Sequence, residues 1–313
     1  MAGPVCESCQ SADVFRWGKR HNKSGTISRY RCRSCGGTFT GRDGFQKRRA
    51  DPEVIARALD LYFRGVSFRQ VRDHLAEAYG LSLSPMTVYR WVTHYSRLAA
   101  EWMDSQGAKV GERWHVDETV VSVDGDKHFV WNLMDSETRF LIATHVSRTR
   151  TMAHTRAPFR KAKAVTATIP KEIRSDGMPA YPEAIKKEFG RYRRSTDPPG
   201  SLKNQGSKAM WSPHKVVPSI RAEESNNILE RLNGSMKDRT KVMRGFDTAV
   251  GTAALVDGWR VHYDMVRNHI ALGTTPGIAA GLPELTGFKW RALLDLATNR
   301  RVTATPRPAE STD

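Results

Sequence analysis

The chain has 313 residues, enough for two or more domains with cores of their own. Its 50 Lys and Arg against 33 Asp and Glu leave a net charge of +17, which argues against an acidic small substrate and for a polyanion, nucleic acid first. No apolar run reaches the ~18 residues of a membrane span and no signal-peptide stretch opens the chain, so a cytoplasmic protein with no membrane partner is expected.

The first 50 residues hold eleven Lys and Arg against three Asp and Glu. Within them, CESC and CRSC place Cys6, Cys9, Cys32 and Cys35 as two C-x-x-C pairs with 22 residues between. Each pair forms a knuckle presenting two thiolates, and four sulfurs make a closed shell for one structural Zn²⁺. In a reducing compartment this outweighs two disulfides. Basic and aromatic residues between the pairs (Arg16, Trp17, Lys19, Arg29, Tyr30, Arg31) suit the short strands of a zinc ribbon spanning 1–46.

Residues 51 to about 104 read as three helices. Asp51-Pro52 opens the first, whose Val54, Ala58 and Leu61 share one face, and Gly65 stops it. Ser67 with Gln70 is a capping-box pattern for the second, and Gly80 ends it. Ser84-Pro85 starts the third, with Val88, Val92 and Tyr95 inward and Thr87, Tyr89 and Arg90 outward. A short helix, a turn and a helix with such residues near its N-terminus is the helix-turn-helix arrangement that enters a major groove, and 47–108 is assigned to that DNA-binding domain. An ordinary three-helix bundle fits the pattern as well; the charge and the zinc module favour the DNA-binding version.

From Gly111 the apolar period shifts toward two. RWHVDETVVSV and KHFVWNLM flank an Asp124-Gly125 hairpin signal, RFLIATHVS follows as a third strand, and then come a helix over 151 to about 166, the short strand KEIRSD and a helix from Pro179 to Phe189. Three antiparallel strands followed by alternating helix and strand suit a mixed five-stranded sheet flanked by helices, the order of an RNase H-like α/β core, here 109–272. Residues 191–218, rich in Pro, Gly, Ser and cations, read as a basic surface insertion. A helical stretch from Glu223 and a long helix from about Asp247 to Ile270 complete the core. Residues 273–313 form a C-terminal extension whose tail has a disordered composition.

Three acids from separate elements suit metal-dependent phosphoryl transfer, because two Mg²⁺ (or Mn²⁺) ions take hard oxygen ligands and clamp the attacking and leaving oxygens. Asp117 lies within the first core strand, on the face opposite Val116. Asp176 ends the fourth strand, followed by Gly177. Glu230 lies on the later helix in a stripe with Asn226, Asn233 and Lys237, which can face the sheet's carboxylates from above. Three anions so crowded would raise one another's pKa, so the set implies a divalent cation. Glu118 alternates to the opposite face and is read as no ligand, Trp131 as core, and His115, His128 and His145 as strand histidines without partner spacing. His214, in the basic insertion, is read as able to contact phosphate.

WHVDETVVSVDGDKHFVWNLMD, SDGMPAY and NNILERLNGSMKDRTKVMRGF, in that order, resemble the three blocks of bacterial and archaeal insertion-sequence transposases with a DDE integrase core. The resemblance covers roughly 110–270, and the upstream helix-turn-helix segment fits that architecture. It implies that Asp117, Asp176 and Glu230 form the catalytic, metal-binding triad, that Asn227, Lys237, Arg239 and Gly245-Phe246 belong to the third block, and that the cations there grip DNA. The second acid spacing is longer than in most relatives, which keeps Glu223 and Glu224 open as rivals to Glu230. The resemblance further implies a prokaryotic, nucleoid-associated enzyme that binds double-stranded DNA (terminal inverted repeats and target) and acts as a homodimer or higher oligomer. Such an enzyme cleaves transposon ends by metal-assisted hydrolysis and joins the 3′-hydroxyl to target DNA. The alternatives are an inactive, sequence-specific DNA-binding regulator and a cut-only RNase H-like nuclease.

Overall fold

The structure, a computed structural model, describes residues 6, 9, 11–22, 25–40, 50–192, 210–217, 226–243 and 246–303. Glu223, Glu224, Gly245, most of the basic insertion and the tail from 304 lie outside them.

Strands β1 (Val14–Asn22), β2 (Gly25–Cys32) and β3 (Thr38–Thr40) form a small antiparallel sheet in that order. A bulge between Arg16 and Gly18 re-aims β1, and Gly18, at φ 119°, takes the backbone conformation a side chain would strain.

Helices α1 (Pro52–Phe63), α2 (Phe68–Tyr79) and α3 (Pro85–Asp104) begin where the caps place them. Asp51 accepts from Glu53 N–H, Ser67 and Gln70 close both halves of a capping box, Gly80 ends α2 at φ 62°, and Ser84 accepts from Thr87 N–H. Their inward faces (Ile55 and Leu59; Val71 and Leu75; Val88, Val92 and Tyr95) are fully buried.

The central sheet begins with β4 (Arg113–Val123), β5 (Asp126–Asp135) and β6 (Leu141–Ser147), an antiparallel meander. Asp124 and Gly125 both have positive φ, as the two-residue hairpin between β4 and β5 demands. Helix α4 (Met152–Val165) crosses over to β7 (Glu172–Ser175), which runs parallel to β4. Helix α5 (Ala180–Phe189) follows, then the two-residue strands β8 (Arg191–Tyr192) and β9 (Met210–Trp211), which pair with each other, and β10 (His214–Val216) parallel to β7. The sheet order is β10-β7-β4-β5-β6. Its fifth strand thus comes from the end of the segment read from sequence as surface insertion: three residues backed by no turn signal find a partner some forty positions upstream.

Helices α6 (Asn227–Met243) and α7 (Ala249–Val261) cover one face of the sheet, and α4 and α5 the other. The long helix expected to reach Ile270 instead leaves α-geometry at His262–Val266 in a π turn, followed by α8 (Pro276–Ala279) and α9 (Lys289–Thr303). Helix α3 lies along α7 and α9, and α1 against α9, so the three N-terminal helices share one hydrophobic core with the sheet. Two glycines of α7 permit this approach. A Cβ on Gly258 would strike Ser96 and Phe63, and one on Gly251 would strike the Tyr89 hydroxyl.

A buried charge network reinforces the same seam. The fully buried Arg260 donates to Asp104 of α3 and to the Ile142 carbonyl of β6, while Lys161 of α4 bridges Asp104 (3.3 Å) and Asp257 of α7 (3.4 Å).

Candidate active site

Asp117 sits mid-strand on β4, on the face that α6 covers. Its Oδ2 accepts from the Asn233 amide at 2.7 Å and its Oδ1 from the Glu118 backbone N–H at 2.9 Å. Asn233 in turn accepts from Asn132, which pairs with Asp117 across the β4–β5 ladder, at 2.8 Å. Two turns earlier, just before α6 begins, Asn226 meets the buried His115, two residues before Asp117, at 2.7 Å. The face of α6 next to Glu230 therefore lies on the sheet, held down at Asn226 and Asn233, and leaves Glu230 itself at the exposed edge.

Asp176 follows the last residue of β7. Extending the β4–β7 register (His115 opposite Arg174) by two positions brings Asp176 beside Asp117 on the same face. Gly177, at φ 93°, turns the chain immediately afterward, and Met178 N–H reaches back to Asp176 Oδ1 at 3.1 Å. Behind this turn Ser175 Oγ hydrogen-bonds His214 Nε2 at 2.9 Å. His214 is thus a half-buried strand residue supporting the Asp176 turn, where sequence reading pointed to phosphate.

Burial, and after it the charges of Asp176, Glu118 and Glu230, push the Asp117 carboxyl up to about 7, against the Glu118 N–H that favours its ionised form. Asp176 and Glu230, the latter in the first turn of α6, are exposed. Their charges nonetheless reach Asp117 and raise its carboxyl. Glu118 points to the opposite face and is neutralised there by Arg150 (3.1 Å) and the Tyr181 hydroxyl (2.7 Å).

The remaining site candidates differ in surroundings. Lys237 is exposed on the Glu230 stripe, and Asn227 is half-buried. Arg239, read from sequence as a grip on DNA, is only 8 % exposed: its guanidinium lies 4.1 Å over the Tyr62 ring and donates to the Val66 carbonyl. A desolvated cation–π contact of this kind is worth ~2 kcal/mol, so Arg239 serves to pin α6 to α1. On α3, Arg90 is exposed, whereas Thr87 is half-buried at the cap and Tyr89 packs edge-on against Phe68 with its hydroxyl over Gly251. Sequence reasoning missed Asn132 and the partners of His115 and Glu118. Their partners lie 32 to 111 positions away, and neither periodicity nor spacing signals such pairs.

The four cysteine sulfurs form a second centre. Cys6 and Cys35 approach to 3.5 Å, as do Cys9 and Cys32, and all four lie within 4.8 Å of one another. A disulfide would hold its sulfurs at ~2.05 Å, whereas a tetrahedral ion with ~2.3 Å bonds sets them nearly 4 Å apart; the cluster fits zinc. The Cys32 thiol is lowered to about 6: burial works against this, and the backbone N–H groups of Cys35 and Ser34 with the neighbouring thiols outweigh it.

The DDE domain of IS240-type transposases matches residues 111–269, just over half the chain and the span that holds all three acids. The chain belongs to this DDE transposase family. Residues 26–129 also match the Mutator-family transposases. Among curated relatives, the transposase of the insertion sequence-like element IS431mec of Staphylococcus aureus strain Mu50 is 28% identical over 94 residues, 30% of this chain. The transposase of IS257 in transposon Tn4003 of Staphylococcus aureus is 27% identical over the same length. The chain spans 42% of the length of each. Solved structures similar to this transposase include the HTLV-2 integrase catalytic core domain in complex with magnesium (16% identity, TM-score 0.37, 56% of this chain and 99% of that one). Another is a simian T-cell lymphotropic virus intasome bound to a PP2A regulatory subunit (12% identity, TM-score 0.40, 84% and 81%). No described helix is long and apolar enough to cross a membrane.

Proposed function

We propose that this transposase binds the terminal inverted repeats of its element, cuts the ends by metal-assisted hydrolysis and joins the resulting 3′-hydroxyl to target DNA, with Asp117, Asp176 and Glu230 as the catalytic acids. The observation that carries the reading is Asp117 itself, buried beneath α6 and electrostatically loaded by the other two acids. A donor set of hard carboxylate oxygens whose charges raise one another's pKa fits Mg²⁺ or Mn²⁺, and two such ions ~3.5–4 Å apart would clamp the attacking and leaving oxygens. Bound there, such ions would act as Lewis acids and ready a water or hydroxyl oxygen for attack.

The chain's own residues prepare that site. Asn233 and the Glu118 N–H fix the Asp117 carboxylate, and Gly177 turns Asp176 out past the sheet. Arg150 and Tyr181 keep Glu118 from competing. Lys237, exposed two turns along α6 from Glu230, would meet a phosphate. A structural zinc on Cys6, Cys9, Cys32 and Cys35 would hold the ribbon, whose Trp17 is 48 % exposed with Arg31 4.8 Å above its ring. With α2 and α3 as a helix-turn-helix whose Arg90 faces outward, the ribbon gives a surface for duplex ends. Joining two ends at one target calls for at least two chains.

Labelled candidate end duplex incubated with the protein and Mg²⁺ tests this directly. Joined products support transposition, cut ends alone indicate a nuclease, and a shifted but intact duplex indicates a regulator.

A further inference from the structure

Beside the acid-bearing stripe, α6 presents a second stripe, Asn227, Arg231 and Ser235, spaced by four. It forms one wall of a groove of about 470 Å³, within the roughly 300–1,000 Å³ usual for ligand sites. Arg139, from the β5–β6 turn, and Arg267, just past the π turn, close the opposite side. Among the described residues no acidic side chain lines the groove, and none of the three arginines forms an ion pair with a described carboxylate. Three uncompensated guanidiniums around one depression repel one another and invite an anion.

Two further features point to the anion's chemistry. The rest of the lining is largely apolar, with the buried Tyr263, stacked on Trp259 and capped by Arg267, backing the half-buried His269 ring edge-on at 6.3 Å. The buried Nδ1 of His269 has no hydrogen-bond partner among the described residues. At the rim, Ile270 is 97 % exposed on a tight turn that the His269–Thr274 backbone pairing holds. Phosphate-seeking cations, a half-buried imidazole with an unpartnered ring nitrogen and a projecting aliphatic wedge together match a nucleotide taken out of its base stack.

We propose that this groove holds an unpaired nucleotide of the DNA substrate, its phosphates on Arg139, Arg231 and Arg267, its base beside the half-buried His269 ring with Ile270 occupying the gap it leaves. The inference rests on the transposase reading and deepens it: Arg231 neighbours Glu230, so a strand leaving the acids along α6 passes directly into the groove. The opened strand belongs either to the element's end or to the target, and the substrates below separate the two.

The test uses the full chain without divalent metal and reads fluorescence anisotropy. The probes are a labelled end duplex, the same duplex with a 5′ or 3′ unpaired tail, and a target-like duplex of unrelated sequence with or without a central mismatch bubble. Expected is a tenfold or greater preference for an opened probe over its paired counterpart, on the end series or on the target series. Arg139→Gln/Arg231→Gln/Arg267→Gln should erase that preference and lower the single-strand salt slope by about two, at ~0.7 per cation. Paired-duplex affinity should stay within threefold. Ile270→Asp, an exposed change that leaves folding untouched, should reduce the preference at least threefold. A wild-type protein that binds paired and opened probes alike, or variants that keep the preference, would overturn the groove assignment. Failure to bind any duplex would instead strike the transposase reading.

Discussion

Asn233 of α6 joins Asp117 of β4 to Asn132 of β5, donating to one and accepting from the other at 2.7 and 2.8 Å. The bridge aims the carboxylate and seats the helix in one stroke. Removing it by Asn233→Ala should cut end cleavage ~10–100-fold, as loss of a group that orients a ligand does. It should also shift the Mg²⁺ or Mn²⁺ dependence to higher concentration while duplex affinity holds. An unchanged metal titration would deny Asn233 this positioning role.

Asp117→Asn, Asp176→Asn and Glu230→Gln should each abolish cleavage and joining in a gel assay while DNA binding survives. If Glu230→Gln still joins ends, the third acid passes to Glu223 or Glu224.

The four-thiol cluster predicts one zinc per chain by elemental analysis. Cys32→Ser, or chelation, should release it and unfold the ribbon while leaving the helical signal of residues 50–303 in circular dichroism. End affinity should fall at least tenfold; full affinity without zinc would remove the ribbon from recognition.

Acid should weaken the fold through its buried histidines. His262 stacks with Phe63 and Trp290, and burial depresses it to about 4; His145, 3.0 Å from His154, is likewise held near 4. Both are depressed below the ~6.5 of the unfolded chain. Their neutral forms therefore contribute fully above pH 6.5, and that contribution is lost as pH falls toward 4, up to about 3 kcal/mol for His262 and less for the more solvent-screened His145. Thermal melts between pH 7 and 4.5 should show the decline, and His262→Phe should flatten it. A variant as acid-sensitive as wild type would assign the loss elsewhere.

Arg260→Met should destabilise the protein by ~3–5 kcal/mol, because Asp104 would remain partly buried without its main partner. Denaturant titration measures this, and a loss below 1 kcal/mol would show the network to be dispensable.

Local chemistry made much of this architecture legible. The caps at Asp51, Ser67 and Ser84, the glycine at 80 and the Asp124-Gly125 hairpin act within a few residues, and each marks its boundary in the chain. What escaped notice is non-local. Strand β10 owes its conformation to β7, and Arg239 and Tyr89 turn inward because α1 and α7 happen to lie over them. The stripe of α6 was readable as a helical face, but its anchors Asn132 and His115 sit in strands buried on both sides, where alternation carries no polarity signal.

The glycines at 251 and 258 let α3 lie so close to α7 that the helix carrying Arg90 and the sheet carrying Asp117 belong to one body with a common hydrophobic core. Such a body works like a caliper with a locked jaw: a duplex seated on α3 would meet the acids a set number of base pairs away. The offset between the bases read and the bond broken would then be a constant of the fold, altered only by reshaping that seam.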